Sequence, residues 1–167
     1  MIVLAACGHE AQPVARDSNE TFVAFPATFA AFREWPAFHS DGPPDDGTFG
    51  PDVLGPRMQY VNVLPPHGAT QFPIGTVIVE ARESGAKLLI AGVKRGGGYN
   101  GGGATNWEWF GLAEDAVTKQ VTINWRGLAP PTGGYGGIPT GGCNECHASC
   151  GHDNDFVCSP LLQLASF

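Results

Sequence analysis

Glycine and proline interrupt this chain at so many points that a fold of long helices is excluded. There are 24 Gly and 14 Pro among 167 residues. Gly loses the most backbone freedom on entering a helix, and Pro removes a helix hydrogen bond, so both are costly in helix interiors. A long-helix bundle wants Ala, Leu, Glu and Lys in their place. What stands between the Gly/Pro clusters is a series of short apolar segments, several alternating with period two, as strands do. The length fits one domain, able to bury roughly 70% of its unfolded surface without cross-links.

Phe25, Phe29, Phe32, Trp35 and Phe38 recur at steps of three or four. That spacing predicts a helix over 25–38 with one apolar face, opened by Pro26 and ended or kinked by Pro36. Residues 41–57 are rich in Asp, Gly and Pro and read as an irregular loop. Strands are predicted over 58–64, 76–82, 86–93, 106–112 and 121–125. Residues 83–85 form a hairpin turn on this reading, and 96–103 a Gly/Asn loop. Residues 127–142 are again Gly/Pro-rich, and a last helical turn is expected at 161–164. The predicted fold is α+β: a five-stranded antiparallel sheet with a few short helices. Residues 21–167 are read as one domain, preceded by a small polar segment, 1–20.

Near the end lies Cys143-Asn144-Glu145-Cys146-His147. C-x-x-C-H is the pattern to which c-type haem is covalently attached, two thiols bonding the haem vinyl groups and the histidine reaching the iron. A zinc site is the first alternative, with His152 and Cys150 or Cys158 as further ligands. A bare C-x-x-C disulfide is the second. On the haem reading Cys143, Cys146 and His147 hold one haem c on a short helix, and Cys150 and Cys158 are free to form a disulfide. Cys7 follows Leu4-Ala5-Ala6, which reads as a lipobox whose cysteine is acylated. Only six residues precede it, so either the sequence begins within a signal or the match is accidental. On the first branch, the segment up to residue 20 tethers the domain to a membrane surface. Haem attachment, a disulfide and a lipobox together point to a periplasmic or cell-surface, lipid-anchored protein. The net charge is −7 with no basic stripe, which argues against nucleic acid as a partner.

Only twenty residues follow His147, and none is Met; the chain's two methionines are Met1 and Met58. A downstream Met cannot supply the second axial ligand, so an open iron position is expected, suited to binding or converting a small molecule.

The chain from about Phe29 onward resembles the cytochrome P-460 family, including its cytochrome c′-beta relatives. The resemblance rests on ordered pieces. These are Phe32-Arg33-Glu34-Trp35 followed by His39, Arg57-Met58-Gln59-Tyr60-Val61-Asn62, and Phe72-Pro73-Ile74-Gly75-Thr76-Val77-Ile78-Val79. Then come Val93-Lys94-Arg95, Asn106-Trp107-Glu108-Trp109-Phe110, the C-x-x-C-H motif and Asn154-Asp155-Phe156-Val157. It implies a five-stranded antiparallel sheet, a five-coordinate haem c and a homodimer. In activity it implies a hydroxylamine oxidase passing electrons to a partner cytochrome, or a protein that binds nitric oxide and carbon monoxide without turnover. Where the family's oxidases carry a Lys cross-linked to the haem, this chain has Glu80. Lys94 or Lys87 could replace that lysine, Lys94 being the better placed.

Oxidation of hydroxylamine or nitric oxide needs a proton acceptor near the iron, and a carboxylate in an apolar pocket can serve. Glu80 and Glu108 are the candidates. Against each stands a plainer reading, a solvated carboxylate on an outer face. Lys94 beside Arg95 can likewise be a solvated pair. His39, His67 and His152 read as surface histidines. Three functions follow in order: oxidation of a small nitrogen compound, reversible gas binding, and plain electron transfer through an exposed haem edge.

Overall fold

The computed structural model describes residues 20–42, 55–82, 89–131 and 142–167. It is dominated by one antiparallel sheet of six strands in chain order: β1 Ala37–Ser40, β2 Arg57–Val61, β3 Val77–Arg82, β4 Leu89–Lys94, β5 Trp107–Glu114 and β6 Val121–Gly127. One α-helix follows, α1, Cys143–Ser149. The expected antiparallel α+β architecture is present, with six strands where five were expected.

The additional strand, β1, begins at the end of the expected helix and overlaps it at Ala37 and Phe38. The aromatic segment forms two short 3-10 turns, Pro26–Phe29 and Phe32–Glu34, and then extends into β1. Pro36 is the cause. It bars the residue before it from helical conformation, and Trp35 is extended, with φ −77° and ψ 162°. The aromatic series is thereby split. Phe29 and Phe32 pack on one face of the sheet, whereas Phe38 reaches the other.

Both faces are covered, which is why the middle strands are nearly continuously apolar. The first face carries Val77, Val79, Ala91, Val93, Phe110 and Leu112, and is covered by Ala24, Phe29 and Phe32. The second carries Val61, Ile78, Trp107 and Trp109, and is covered by Phe156, Val157, Leu162 and Leu164, with Cys143 against it. The register aligns this second face into rows. Thr76 neighbours Lys94, whose partner is Trp107. Val61, Ile78, Gly92 and Trp109 form the next row, and Phe38, Gln59, Glu80, Ile90 and Gly111 the one after.

Two glycines in these rows make room for indoles. A Cβ on Gly92 would lie 2.8 Å from Cζ3 of Trp109, and one on Gly111 would overlap the Trp125 ring. Trp125 reaches that face because the β5–β6 register shifts between Gly111 and Leu112, so Ile123 and Trp125, two residues apart, pack on opposite faces.

The candidate lipobox at Cys7, the 1–20 segment up to residue 19, Lys87, the 83–85 turn and most of the two Gly/Pro-rich loops lie outside the described residues. The last helical turn is a 3-10 turn at Leu164–Ser166, three residues later than expected.

Candidate functional site

Helix α1 lies on the second face, and its placement rests on Asn144. Asn144 Oδ1 accepts the Ala104 N–H at 3.0 Å and a hydrogen bond from Asn100 Nδ2, and its own N–H donates to Leu128 O at 3.2 Å. Gly103 is needed beneath it, since a Cβ there would collide with the Asn144 amide. Glu145 Oε2 accepts the Gly142 N–H at 2.8 Å, closing the first turn with a negative charge where the helix dipole favours one. The helix therefore holds Cys143, Cys146 and His147 against the sheet within about one turn.

Cys143 and Cys146 are free, half-buried thiols. Burial pushes the Cys143 thiol up to about 12. Burial, and then the charge of Glu80, push the Cys146 thiol up as well. Both are neutral thiols at neutral pH, not a thiolate pair awaiting a cation.

His147 is fixed from two sides. Its Nδ1 lies 2.8 Å from Phe156 O, and its ring stacks on Trp109 with centroids 4.0 Å apart and planes at 29°. Burial lowers its pKa, which favours the neutral imidazole. Phe156 O is a carbonyl and can only accept, so Nδ1 carries the proton and Nε2 keeps its lone pair. An imidazole with Nδ1–H donated to a backbone carbonyl and Nε2 free is the form in which histidine ligates a metal.

The carbonyl that sets this form sits in a constrained turn. Asp155 and Phe156 both have left-handed backbones, φ 50° and 64°. For residues with side chains this costs about 1–3 kcal/mol each and persists only where surrounding contacts dictate it. Here many do. A Cys150–Cys158 disulfide, with Cα atoms 5.3 Å apart, closes the turn. Asp155 Oδ1 pairs with Lys94 Nζ at 2.5 Å, and Asp155 Oδ2 accepts the Phe72 N–H at 2.9 Å. Asp155 O accepts Trp107 Nε1–H at 2.8 Å. Asn154 Nδ2 donates to Val157 O and Leu162 O, and its Oδ1 accepts the Leu164 N–H.

The carboxylate candidates separate onto opposite faces. Glu80 shares the face of the motif, and its charge acts on Cys143, Cys146 and His147. Gln59 Nε2 donates to it at 2.7 Å and Arg57 Nη1 at 3.2 Å, while Ser159 Oγ donates to Gln59 Oε1 at 2.5 Å. Glu108 does not join them. It points to the other face beside Val93 and Phe110, clamped by Arg126 at 2.7 and 2.8 Å and Arg95 at 3.1 Å. Strand alternation put Glu108 opposite both Trp neighbours, and it is the tryptophans that face the motif. Glu108 is buried, but as an ion-paired group of the first face.

Lys94 lies on the motif's face, not in solvent. It is 2% exposed, paired with Asp155, with Nζ 5.3 Å from the Trp107 ring centroid. Burial lowers Lys94 and raises Asp155, the attraction between them working against both shifts. His39, His67 and His152 are exposed, as expected. Met58 shares the first face with Tyr60, its partner Ala81 packing there.

The residues can be tested against each expected group. The disulfide occupies both sulfurs that the zinc alternative would use. Among the described residues no three His, Cys, Asp or Glu gather to hold a bare metal ion. Two neutral thiols and one imidazole with a free Nε2 fit haem c, whose porphyrin supplies the other iron ligands. Asp155, Asn154 and Trp109 were missed as site-forming residues. Asn154 and Asp155 carry polar side chains that only the fold buries. The chain matches no protein-family model, no curated protein and no solved structure.

Proposed function

We propose that this chain is a mono-haem c-type cytochrome, with haem bonded to Cys143 and Cys146 and His147 as the axial ligand. Within that class it is of the P-460 kind, acting on a small nitrogen compound, hydroxylamine or nitric oxide, at an open iron position. The carrying observation is the 2.8 Å contact between His147 Nδ1 and Phe156 O, which leaves Nε2 available on the same helix as two free thiols. Haem, when bound, supplies the open coordination position and one-electron chemistry. The chain's own residues do the rest. His147 is held in one tautomer and one ring orientation. Glu80 is the proton acceptor, kept in place by Arg57 and Gln59. Met58, on the other face, does not compete for the iron. Electrons pass to a partner cytochrome, and the protein works outside the cytoplasm as a lipid-anchored homodimer.

A second reading, nitric oxide or carbon monoxide binding without turnover, is favoured by one observation. Lys94, the better substitute for the missing cross-linking lysine, is already committed to Asp155.

The test is expression of the full chain with haem-attachment machinery. The expected result is a covalent haem by mass and a five-coordinate spectrum. A red-shifted Soret band, of the sort that names the family, would report a cross-link; an ordinary one reports none. Turnover of hydroxylamine with an electron acceptor supports the oxidase, and ligand binding without turnover supports the second reading. A haem-free product, or a six-coordinate low-spin haem, sinks both.

A further inference from the structure

Trp109 carries a buried hydrogen-bond donor with no acceptor. The residue is 6% exposed, and Nε1 has no partner among the described residues. Its neighbour Trp107 is treated differently, donating Nε1–H to Asp155 O at 2.8 Å. Leaving a buried N–H unpaired costs roughly tenfold or more in the folding equilibrium, so such groups mark a ligand, an ion or an unmet need.

The direction of this donor follows from the ring's contacts. The Cε3–Cζ3 edge rests over Gly92, where an added Cβ would lie 2.8 Å from Cζ3 and 3.3 Å from Cε3. In an indole, Nε1 lies on the opposite edge. The N–H therefore lies on the edge turned away from β4, on the same ring whose face His147 stacks against at 4.0 Å.

We propose that Trp109 Nε1 donates to a propionate carboxylate of the haem. This rests on the haem reading above. The choice of acceptor is chemical: the porphyrin nitrogens are bound to iron and the vinyl groups to sulfur, so the propionates are the strong acceptors on the haem's edge. A hydrogen bond to a carboxylate is charge-assisted and about twice as strong as a neutral one. His147 and the two thioethers fix the iron and one edge of the macrocycle. Trp109 would hold the carboxylate edge. Trp109 is thus a positioning residue that touches the cofactor on its carboxylate side.

The experiment compares wild type and W109F, each produced with and without the haem-attachment machinery, by denaturant unfolding. Phe keeps a ring against His147 and Gly92 but lacks the N–H. The smaller ring weakens packing in both forms, so the N–H itself is read by the second measurement below. The proposal expects the haem-loaded protein to lose at least tenfold more in its unfolding equilibrium than the haem-free protein. Equal losses overturn it, because haem then adds no acceptor for the N–H. A second measurement needs no variant. The Trp109 indole N–H, followed by NMR in diamagnetic ferrous, carbon monoxide-bound wild type, should exchange with solvent at least tenfold more slowly than in haem-free protein. Unchanged exchange also overturns the proposal. If wild type takes up no haem, its mass and its missing Soret band say so, and the haem reading falls together with the inference.

Discussion

Replacing Asp155 with Asn removes one charge and leaves the other buried. The Asn side chain is the same size and can still accept the Phe72 N–H, so packing is kept. Lys94 Nζ is left 2% exposed, with Thr105 O at 3.4 Å as its remaining hydrogen-bond partner. Breaking a buried pair in this way costs about 3–5 kcal/mol. A separate ceiling comes from proton release. Lys94 can escape by deprotonating, and from a reference value of 10.5 that costs about 4.8 kcal/mol at pH 7 and about 2 kcal/mol at pH 9. The sign is fixed by linkage. In the variant, the folded state holds Lys94 below its unfolded value, the unfolded chain binds more protons, and stability rises with pH up to 10.5. We expect D155N to lose about 3–5 kcal/mol at pH 7, a large part of a domain's stability, and about half of that at pH 9. Urea unfolding followed by tryptophan fluorescence at both pH values measures it. The double variant K94M/D155N should recover part of the loss, since no charge then remains buried. A D155N cost below about 1 kcal/mol at pH 7, or one that does not fall by pH 9, would refute the reasoning.

Other outcomes follow from the same geometry. In haem-free protein, with the Cys143 thiol pushed up to about 12 against an ordinary value of 9.0, alkylation at pH 8 should be about 1000-fold slower than for an ordinary thiol. Because the folded value is raised, its stabilising effect is complete below pH 9 and is lost as pH rises toward about 12. Stopped-time alkylation with peptide mass mapping separates Cys143 from Cys146. E108Q should lower stability by about 1–3 kcal/mol and leave the haem spectrum and ligand affinity unchanged, because Glu108 faces away from His147. E80Q should cut any hydroxylamine turnover by about 100-fold or more, and should also lower stability by about 1–3 kcal/mol in urea unfolding, since buried Arg57 loses its carboxylate partner. G92A should cost about 1–3 kcal/mol, since its Cβ would meet the Trp109 ring at 2.8 Å. It should also perturb the haem spectrum through the stacked His147.

Much of the sheet was legible. The cores of five strands and the short helix at Cys143 all carry local signals, and each formed within a few residues of its expected place. Strand β1 was not legible, because aromatic residues at steps of three to four look alike whether they wind onto one face or are divided between two by Pro36. The site was legible in part. Alternation showed that Trp107 and Trp109 share a face and that Glu108 opposes them, but the middle strands are buried on both sides, so period two could not say which face would meet the motif. Lys94 beside Arg95 looked like a solvated pair. Its burial depends on Asp155, 61 residues away, and no local pattern joins the two.

By itself, then, the sequence determined what lies within one turn of chain. The C-x-x-C-H spacing sets two thiols and an imidazole on one short helix, and residues 148–167 hold no Met. The tertiary structure alone decided what lies between elements. It put Glu80, and not Glu108, on the face of the motif, and it buried Lys94 with Asp155. It also delivered the Phe156 carbonyl to His147 Nδ1 through a turn whose left-handed residues no local preference would select. The division has a physical cause. Bond spacing and dihedral limits act over a few residues, whereas burial, ion pairing and the tautomer of a histidine are set by whatever the folded chain packs against them.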